Sequence, residues 1–167
     1  NILRFFVKLY FKITIKDIEK LPEAPYIMAP NHQSFVDGVL VVAALDTKQL
    51  RETYFFAKAA WVKNWFVRFL ARTSNVITVD VNDDLKGSLQ KLAAVIHEKK
   101  NVIIFPEGTR SYDGNLSEFK KTFAILSSEL NVPIVPVAIN GAFKALPRSK
   151  HIPKPGVKIQ VKYLDPI

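Results

Sequence analysis

Residues 26–37 read YIMAPNHQSFVD, an apolar run that passes through a polar turn into the start of a helical pattern. A short apolar run bounded by turn residues is typical of a buried strand, and apolar residues at helical spacing after it indicate a helix. The same alternation recurs along the chain. It predicts an α/β fold in which a mostly parallel, twisted sheet of about seven strands carries helices on both faces.

The periodicity also places the individual segments. Strands are predicted at residues 11–16, 26–29, 54–57, 76–79, 102–105, 134–138 and 157–163. Helices are predicted at residues 35–45, 60–71, 84–98 and 120–130. Residues 146–156 contain three prolines among basic residues, and we expect an extended connection to the last strand there.

The length of the chain favours one domain, residues 1–167. Its charge favours an anionic partner. Lysine and arginine number 24 against 15 acidic residues, a net charge of +9. Anionic lipid, phosphorylated substrates and an acidic carrier protein all fit this excess. Nucleic acid is not expected, because no zinc-finger spacing, aromatic RNA-binding strand or dense arginine run is present. The absence of cysteine excludes disulfides, thiolate metal sites and a cysteine nucleophile.

The first residues suggest contact with a membrane. The chain begins at Asn1 without a signal-peptide cleavage site, so we expect a piece excised from a longer protein. Arg4, Lys8 and Lys12 recur at intervals of four among apolar residues. We interpret residues 1–12 as the remnant of an N-terminal membrane-contact helix, with a strand or a disordered terminus as the alternative. The longest apolar run is far shorter than the roughly 20 residues that span a bilayer.

The helix predicted at residues 60–71 carries an aromatic stripe. Trp61, Trp65 and Phe69 lie four residues apart, beside basic residues. Such a stripe is compatible with an interfacial helix on a membrane surface. Packing against the sheet is the interpretation we favour, because every helix of an α/β fold needs an apolar face.

The turn after the second predicted strand carries His32 and, five residues later, Asp37. Ligands of open parallel sheets bind at this end of the strands. An aspartate in the first helical turn points back toward the preceding loop, where it can fix the tautomer of His32 and leave the other ring nitrogen as a general base. Ser34 is the predicted N-cap, in a capping box with Asp37. Alternatively, Ser34 and Asp37 only cap the helix.

A second polar motif follows the strand predicted at residues 102–105, at the same edge of the sheet. Gly108 permits a turn or a close approach, Thr109 offers a hydroxyl, and Arg110 presents a planar fork suited to phosphate oxygens. This composition indicates a phosphate site. The alternative is a tight turn in which Glu107 pairs with Arg110 or a lysine, a pairing worth at most about 1 kcal/mol if exposed.

Three segments resemble, in order and separation, the phospholipid and glycerol acyltransferase family of the 1-acylglycerol-3-phosphate acyltransferase or PlsC type: NHQSFVD (31–37), FPEGTRS (105–111) and VPIVPV (132–137). The resemblance covers residues 11–139 and implies a glycerolphosphate-acyltransferase-like fold. It implies that His32 deprotonates the acceptor hydroxyl and that Asp37 orients His32. The loop from Glu107 to Arg110 would hold the glycerol phosphate of the acceptor.

The resemblance implies further contacts and partners. Asn31, Lys58 and Lys120 are expected to bind substrate, and residues 132–137 to help form the acyl pocket. The expected donor is acyl-CoA or acyl carrier protein, and the acceptor is a lysophospholipid or a glycerol phosphate. No cofactor and no metal are expected. The protein is expected to act peripherally at the cytoplasmic face of a membrane, on an anionic surface.

Two positions depart from the family pattern. Val81 follows Asp80 where the family often has an arginine that binds the acceptor phosphate, and Thr122 stands where a glycine is common. Both departures make a lysophospholipid with a phosphodiester head group a rival to glycerol 3-phosphate and lysophosphatidic acid.

The absence of several sequence motifs favours direct transfer of the acyl group from the donor to the acceptor. No GxSxG elbow, P-loop or dinucleotide fingerprint is present, so a covalent acyl-enzyme has no obvious nucleophile. Backbone amides at the helix start after His32 are expected to stabilise the oxyanion. Two other functions stay open: a non-catalytic lipid or carrier-protein binding module, against which the pair of His32 and Asp37 argues, and a thioesterase or lipid hydrolase.

Overall fold

The structure is a computed structural model that describes residues 7–58, 75–79 and 85–167. Within them, one sheet contains seven strands. They are β1 (Lys12–Lys16), β2 (Ile27–Pro30), β3 (Thr53–Lys58), β4 (Asn75–Val79), β5 (Asn101–Ile103), β6 (Ile134–Asn140) and β7 (Lys158–Tyr163). All seven predicted strands are present, with ends that shift by one or two residues.

The strands lie in the order β1-β7-β6-β2-β5-β3-β4. From β6 to β4 every neighbouring pair is parallel, whereas β7 is antiparallel to β6 and parallel to β1. The prediction of a mostly parallel sheet is therefore confirmed. Because β2 lies between β6 and β5, the carboxyl ends of these three strands meet at one edge. The turns that follow β2 and β5 are consequently neighbours.

After a helical stretch that ends at residue 10, the described helices are α1 (Asp37–Val42), α2 (Thr47–Arg51), α3 (Leu85–His97), α4 (Thr122–Leu130) and α5 (Ala142–Ala145), with a 3₁₀ turn at Ile18–Lys20. α3 and α4 confirm the helices predicted at residues 84–98 and 120–130. α2 and α5 were not predicted, because a helix of about one turn is too short to show a periodic pattern. The helix predicted at residues 60–71, with its aromatic stripe, lies outside the described residues.

α1 is shorter than the helix predicted at residues 35–45. Its N-cap is Val36 and no side chain caps it, so the prediction that Ser34 is the N-cap is wrong. The hydroxyl of Ser34 instead donates to the carbonyl of Leu146 at 2.8 Å, which holds Ser34 in the turn before the helix. After α1, Asp46 and Gln49 form a capping box that starts α2.

The first described residues are helical, but only as far as residue 10. The amide of Phe11 donates to the carbonyl of Val7 at 3.0 Å, and β1 begins at Lys12. Of the basic stripe predicted over residues 1–12, Lys8 therefore lies on the helical turn and Lys12 on a strand. Arg4 lies outside the described residues.

Helices cover both faces of the sheet, as predicted. Met28 of β2 belongs to a core cluster that includes Leu40 of α1. Its neighbour Ile27 belongs to a second cluster, with Leu92 of α3 and Leu126 of α4. Since successive strand residues point to opposite faces, the two clusters lie on opposite sides of the sheet. Fully burying one such leucine contributes about 1.5–3 kcal/mol.

The turn between β6 and α5 depends on Gly141, which has a φ of 91°. A Cβ at this position would lie 2.3 Å from the carbonyl oxygen of Lys158. We predict that Gly141→Ala lowers the free energy of unfolding by about 1–3 kcal/mol more than Gly156→Ala does. Gly156 is the matched control, because it also has positive φ, 70°, but its added Cβ meets no atom within 4 Å.

Urea denaturation of both variants measures the difference. Equal losses of stability would contradict the close approach at Gly141, since the left-handed backbone costs about 1–2 kcal/mol in either variant.

Candidate active site

The turn that follows β2 begins with Asn31, whose side chain pairs with β6. Its Nδ2 donates to the carbonyl of Ile139 at 3.0 Å, and its Oδ1 accepts from the amide of the same residue at 2.6 Å. The carboxamide thus reproduces the two hydrogen bonds of a strand residue and joins the turn to β6. Substrate binding by Asn31 stays a prediction, and these contacts show a positioning role.

His32 and Asp37 meet as their spacing predicts. Nδ1 of His32 lies 2.9 Å from Oδ2 of Asp37, and the same oxygen accepts from the amide of Ser34 at 2.6 Å. The Asp37 side chain is fully buried, whereas that of His32 is 20% exposed. Burial raises the pKa of the Asp37 carboxyl, and the hydrogen bonds from His32 and Ser34 act in the opposite direction. The pair is therefore a desolvated carboxylate against a partly open imidazole.

The ring of His32 is held in one orientation. It stacks on Phe105, with the ring centroids 4.0 Å apart and the planes at 25°. Because the carboxylate of Asp37 accepts the proton of Nδ1, Nε2 is the nitrogen that can take up a proton. Among the described residues, no protein group hydrogen-bonds to Nε2.

The main chain of His32 is fixed by the loop after β5. Its amide donates to Oε1 of Glu107 at 2.5 Å, and its carbonyl accepts from the amide of Ser111 at 2.7 Å. The second carboxylate oxygen of Glu107 accepts from the amide of Ser117 at 2.9 Å. Glu107 is buried and both its oxygens bind main-chain amides. Its contact with substrate stays a prediction. In the structure, Glu107 joins the turn that carries His32 to the loop after β5.

Gly108 brings a lysine onto this loop. Its φ is 66°, and an added Cβ would lie 2.9 Å from Cε and 3.0 Å from Nζ of Lys120. The amide of Lys120 donates to the carbonyl of Pro106 at 2.9 Å. Lys120, predicted from the family resemblance alone, therefore lies against the loop that the second motif forms.

Arg110 lies near Asp37 and near a second guanidinium, that of Arg148. Burial lowers the pKa of Arg110, the charge of Arg148 lowers it further, and the charge of Asp37 raises it. Nη1 of Arg148 donates to Oγ1 of Thr109 at 3.0 Å and to the carbonyl of Arg110 at 3.1 Å. Sequence reasoning missed Arg148, because it lies 38 residues after Arg110 in a proline-containing connection that carries no motif.

The structure bears on three further predictions, which concern Lys58, the acyl pocket and the amides expected to bind the oxyanion. Lys58 ends β3, and its side chain lies outside the described residues. Val135 and Val137 of β6 are buried in the core, while their place in an acyl pocket stays a prediction. The amides at the start of α1 bind within their own turn, Val36 to the Ser34 hydroxyl at 3.4 Å and Asp37 to its carbonyl at 3.4 Å, so these two are not available to an oxyanion.

Neither a metal cluster nor a membrane-spanning helix is present in residues 7–58, 75–79 and 85–167. Within these ranges, no group of three or more metal-binding side chains converges. Within the same ranges, no helix combines the length and the apolar character needed to cross a bilayer.

Comparison with known proteins places these features in one family. The family model described as acyltransferase matches residues 12–140. A probable 1-acyl-sn-glycerol-3-phosphate acyltransferase of Mycoplasma pneumoniae is 26% identical over 165 residues, which cover 93% of this chain and 62% of that protein. The chloroplastic 1-acyl-sn-glycerol-3-phosphate acyltransferase BAT2 of Brassica napus is 31% identical over 143 residues, 83% of this chain and 40% of that protein.

A solved structure shares the fold. The crystal structure of the 1-acyl-sn-glycerophosphate acyltransferase PlsC from Thermotoga maritima superposes with a TM-score of 0.77 at 28% identity, over 98% of this chain and 64% of that one. The chain thus spans less than two thirds of the length of each of these three proteins.

The buried carboxylate of Glu107 gives a testable prediction. Glu107→Gln replaces one acceptor oxygen by an amide donor that faces a main-chain N–H, so it should lower the free energy of unfolding by about 1–3 kcal/mol. Glu118→Gln makes the same chemical change at an exposed position of the same segment. It should change stability by less than about 0.5 kcal/mol. Urea denaturation measures both, and similar values for the two variants would refute the joining role of Glu107.

Proposed function

The chain belongs to the acyltransferase family, and on this premise we propose that it moves a fatty acyl group from a carrier thioester to the hydroxyl of a lysophospholipid or glycerol phosphate. The observation that carries the proposal is the 2.9 Å contact between His32 and the buried Asp37. It leaves Nε2 as the nitrogen that can take up a proton, and the charge of Asp37 acts on nearby Arg110, which would supply a positive charge for an anionic acceptor. A binding module without turnover would have no need of a desolvated carboxylate behind the imidazole.

The proposed reaction is a direct transfer. Nε2 of His32 removes the proton of the acceptor hydroxyl as that oxygen attacks the carbonyl carbon of the thioester. Asp37 stabilises the imidazolium that forms. When the carbon–sulfur bond breaks, the thiolate leaves and takes the proton from His32. The base then returns to its starting state, and no covalent enzyme intermediate is needed.

In this proposal, two residues of the loop after β5 bind the acceptor phosphate and a third positions His32. Arg110 and Lys120 attract the phosphate of the acceptor, while Glu107 sets the distance between that loop and His32. The donor is acyl-CoA or acyl carrier protein, and the net charge of +9 suits either anionic carrier.

We also propose that the protein acts on an anionic membrane surface, at its cytoplasmic face. The loop that fixes His32 exposes apolar side chains, with Tyr112 at 74%, Leu116 at 66% and Phe119 at 45%. Lys120 and Lys121 follow directly and are exposed. Apolar side chains flanked by lysines suit the interface of an anionic bilayer, from which a lysophospholipid would have to be drawn.

The catalytic proposal predicts a selective loss of activity. His32→Ala should lower acyl transfer from acyl-CoA to lysophosphatidic acid by about 10²- to 10⁴-fold, because the general base is lost. The circular dichroism spectrum should not change. His151→Ala, at an exposed histidine, is the control and should retain transfer. Mass spectrometry of the lipid products measures transfer, and full activity in His32→Ala would exclude the proposed base.

Product analysis of the wild-type protein also separates the two open alternatives. Release of fatty acid without use of any acceptor would indicate a thioesterase or hydrolase, and no turnover of either donor would indicate a binding module.

The membrane proposal predicts a surface-specific loss of binding. Leu116→Ser should weaken cosedimentation with vesicles of anionic phospholipid, and added salt should weaken that of the wild type. Ile167→Ser is the matched control, since Ile167 is 84% exposed but pairs with Ile134 at the opposite edge of the sheet. Equal binding by both variants and the wild type would contradict contact through this loop.

A further inference from the structure

Arg148 is fixed against the loop of the second motif from three directions. Its Nη1 donates to the Thr109 hydroxyl and to the Arg110 carbonyl, at 3.0 and 3.1 Å. Its guanidinium also stacks over the ring of Tyr112, 4.2 Å from the centroid. The fork of an arginine carries five donors, and among the described residues only Nη1 is engaged, so Nε and Nη2 can donate to a ligand.

The segment that carries Arg148 is in turn fixed to the turn of the catalytic base. Two residues before Arg148, the carbonyl of Leu146 accepts from the hydroxyl of Ser34, which is fully buried. Ser34 lies two residues after His32. The stretch from Leu146 to Arg148 therefore bridges the base and the arginine loop, and its position relative to both is set by hydrogen bonds.

The contacts place two positive charges close together. The guanidinium of Arg148 bonds the main chain of Arg110, and its charge acts on the side chain of Arg110. Among the described residues, Arg148 makes no ion pair with a carboxylate. Two guanidiniums that repel each other, one of them without an acidic partner, form a site for an anion of matching charge.

We infer that Arg148 completes an anion site with Arg110, and that this pair selects acceptors whose phosphate carries two negative charges. The inference rests on the proposed acyl transfer to a phosphate-bearing acceptor. A phosphate monoester carries nearly two charges and three terminal oxygens at neutral pH, because its second pKa is near 6. A phosphodiester carries one charge and two terminal oxygens, so it gains less from the second guanidinium.

The test removes the charge of Arg148 and keeps its ability to donate a hydrogen bond. Arg148→Gln should raise the KM for lysophosphatidic acid, a monoester, by about 10- to 100-fold, the loss expected for one charge-assisted contact. The KM for lysophosphatidylcholine, a diester, should rise less than about threefold, and kcat should change little for either acceptor. Arg148→Lys should give an intermediate KM. Lys150→Gln, an exposed change of the same charge nearby, is the control.

A binding measurement separates this inference from the proposed function. Glycerol 3-phosphate should bind Arg148→Gln about 10- to 100-fold more weakly than the wild type at about pH 8. The ratio of the two dissociation constants should shrink at about pH 5.5, where the phosphate carries close to one charge. A purely structural anchor would give the same ratio at both pH values and equal effects on the two acceptors, and either result overturns the inference. Intact phosphate binding by a wild type that transfers no acyl group would refute the proposed function instead.

Discussion

The position of His32, the proposed base, depends on two hydrogen bonds that its main chain makes with the loop after β5. One joins its amide to the buried carboxylate of Glu107 at 2.5 Å, and the other joins its carbonyl to the amide of Ser111 at 2.7 Å. The parallel strands β2 and β5 bring the two turns side by side, but strand spacing alone leaves their tips unconstrained. Because Glu107 also binds the amide of Ser117, one carboxylate joins His32 to the loop that carries Arg110.

The buried carboxylate of Asp37 imposes a second constraint. Burying an ionised group is costly unless hydrogen bonds compensate it, and one oxygen of Asp37 receives two, from His32 and from the Ser34 amide. The second of these requires Ser34 to lie in a turn that folds back on Asp37. α1 therefore begins only at Asp37 and is shorter than its apolar pattern predicts. Its first residue is the buried partner of the partly exposed imidazole of His32.

The sequence predicts the sheet and the contact of His32 with Asp37 because both arise from local patterns. Short apolar runs located all seven strands, and a histidine in a turn with an aspartate in the next helical turn predicted the contact of His32 with Asp37. Contacts between distant segments leave no such pattern. The bond of Glu107 to His32 joins residues 75 positions apart, and that of Arg148 to Arg110 joins residues 38 apart, so neither could be found by spacing. Ser34 was misjudged because its distant partner, Leu146, competes with the local cap.

Like charges lie together at several places among the described residues, and a comparison of two such pairs shows which kind is organised by its surroundings. Where β1 pairs with β7, Lys12 lies opposite Lys158, and both side chains are exposed. Water and salt screen such a pair, so it costs little and needs no support. Arg110 and Arg148 are half-buried, where repulsion is screened less, yet a hydroxyl, a carbonyl and an aromatic ring hold Arg148 in place. These contacts hold Arg148 beside Arg110 against their mutual repulsion, so the position of this pair is set by the fold and not by the charges themselves.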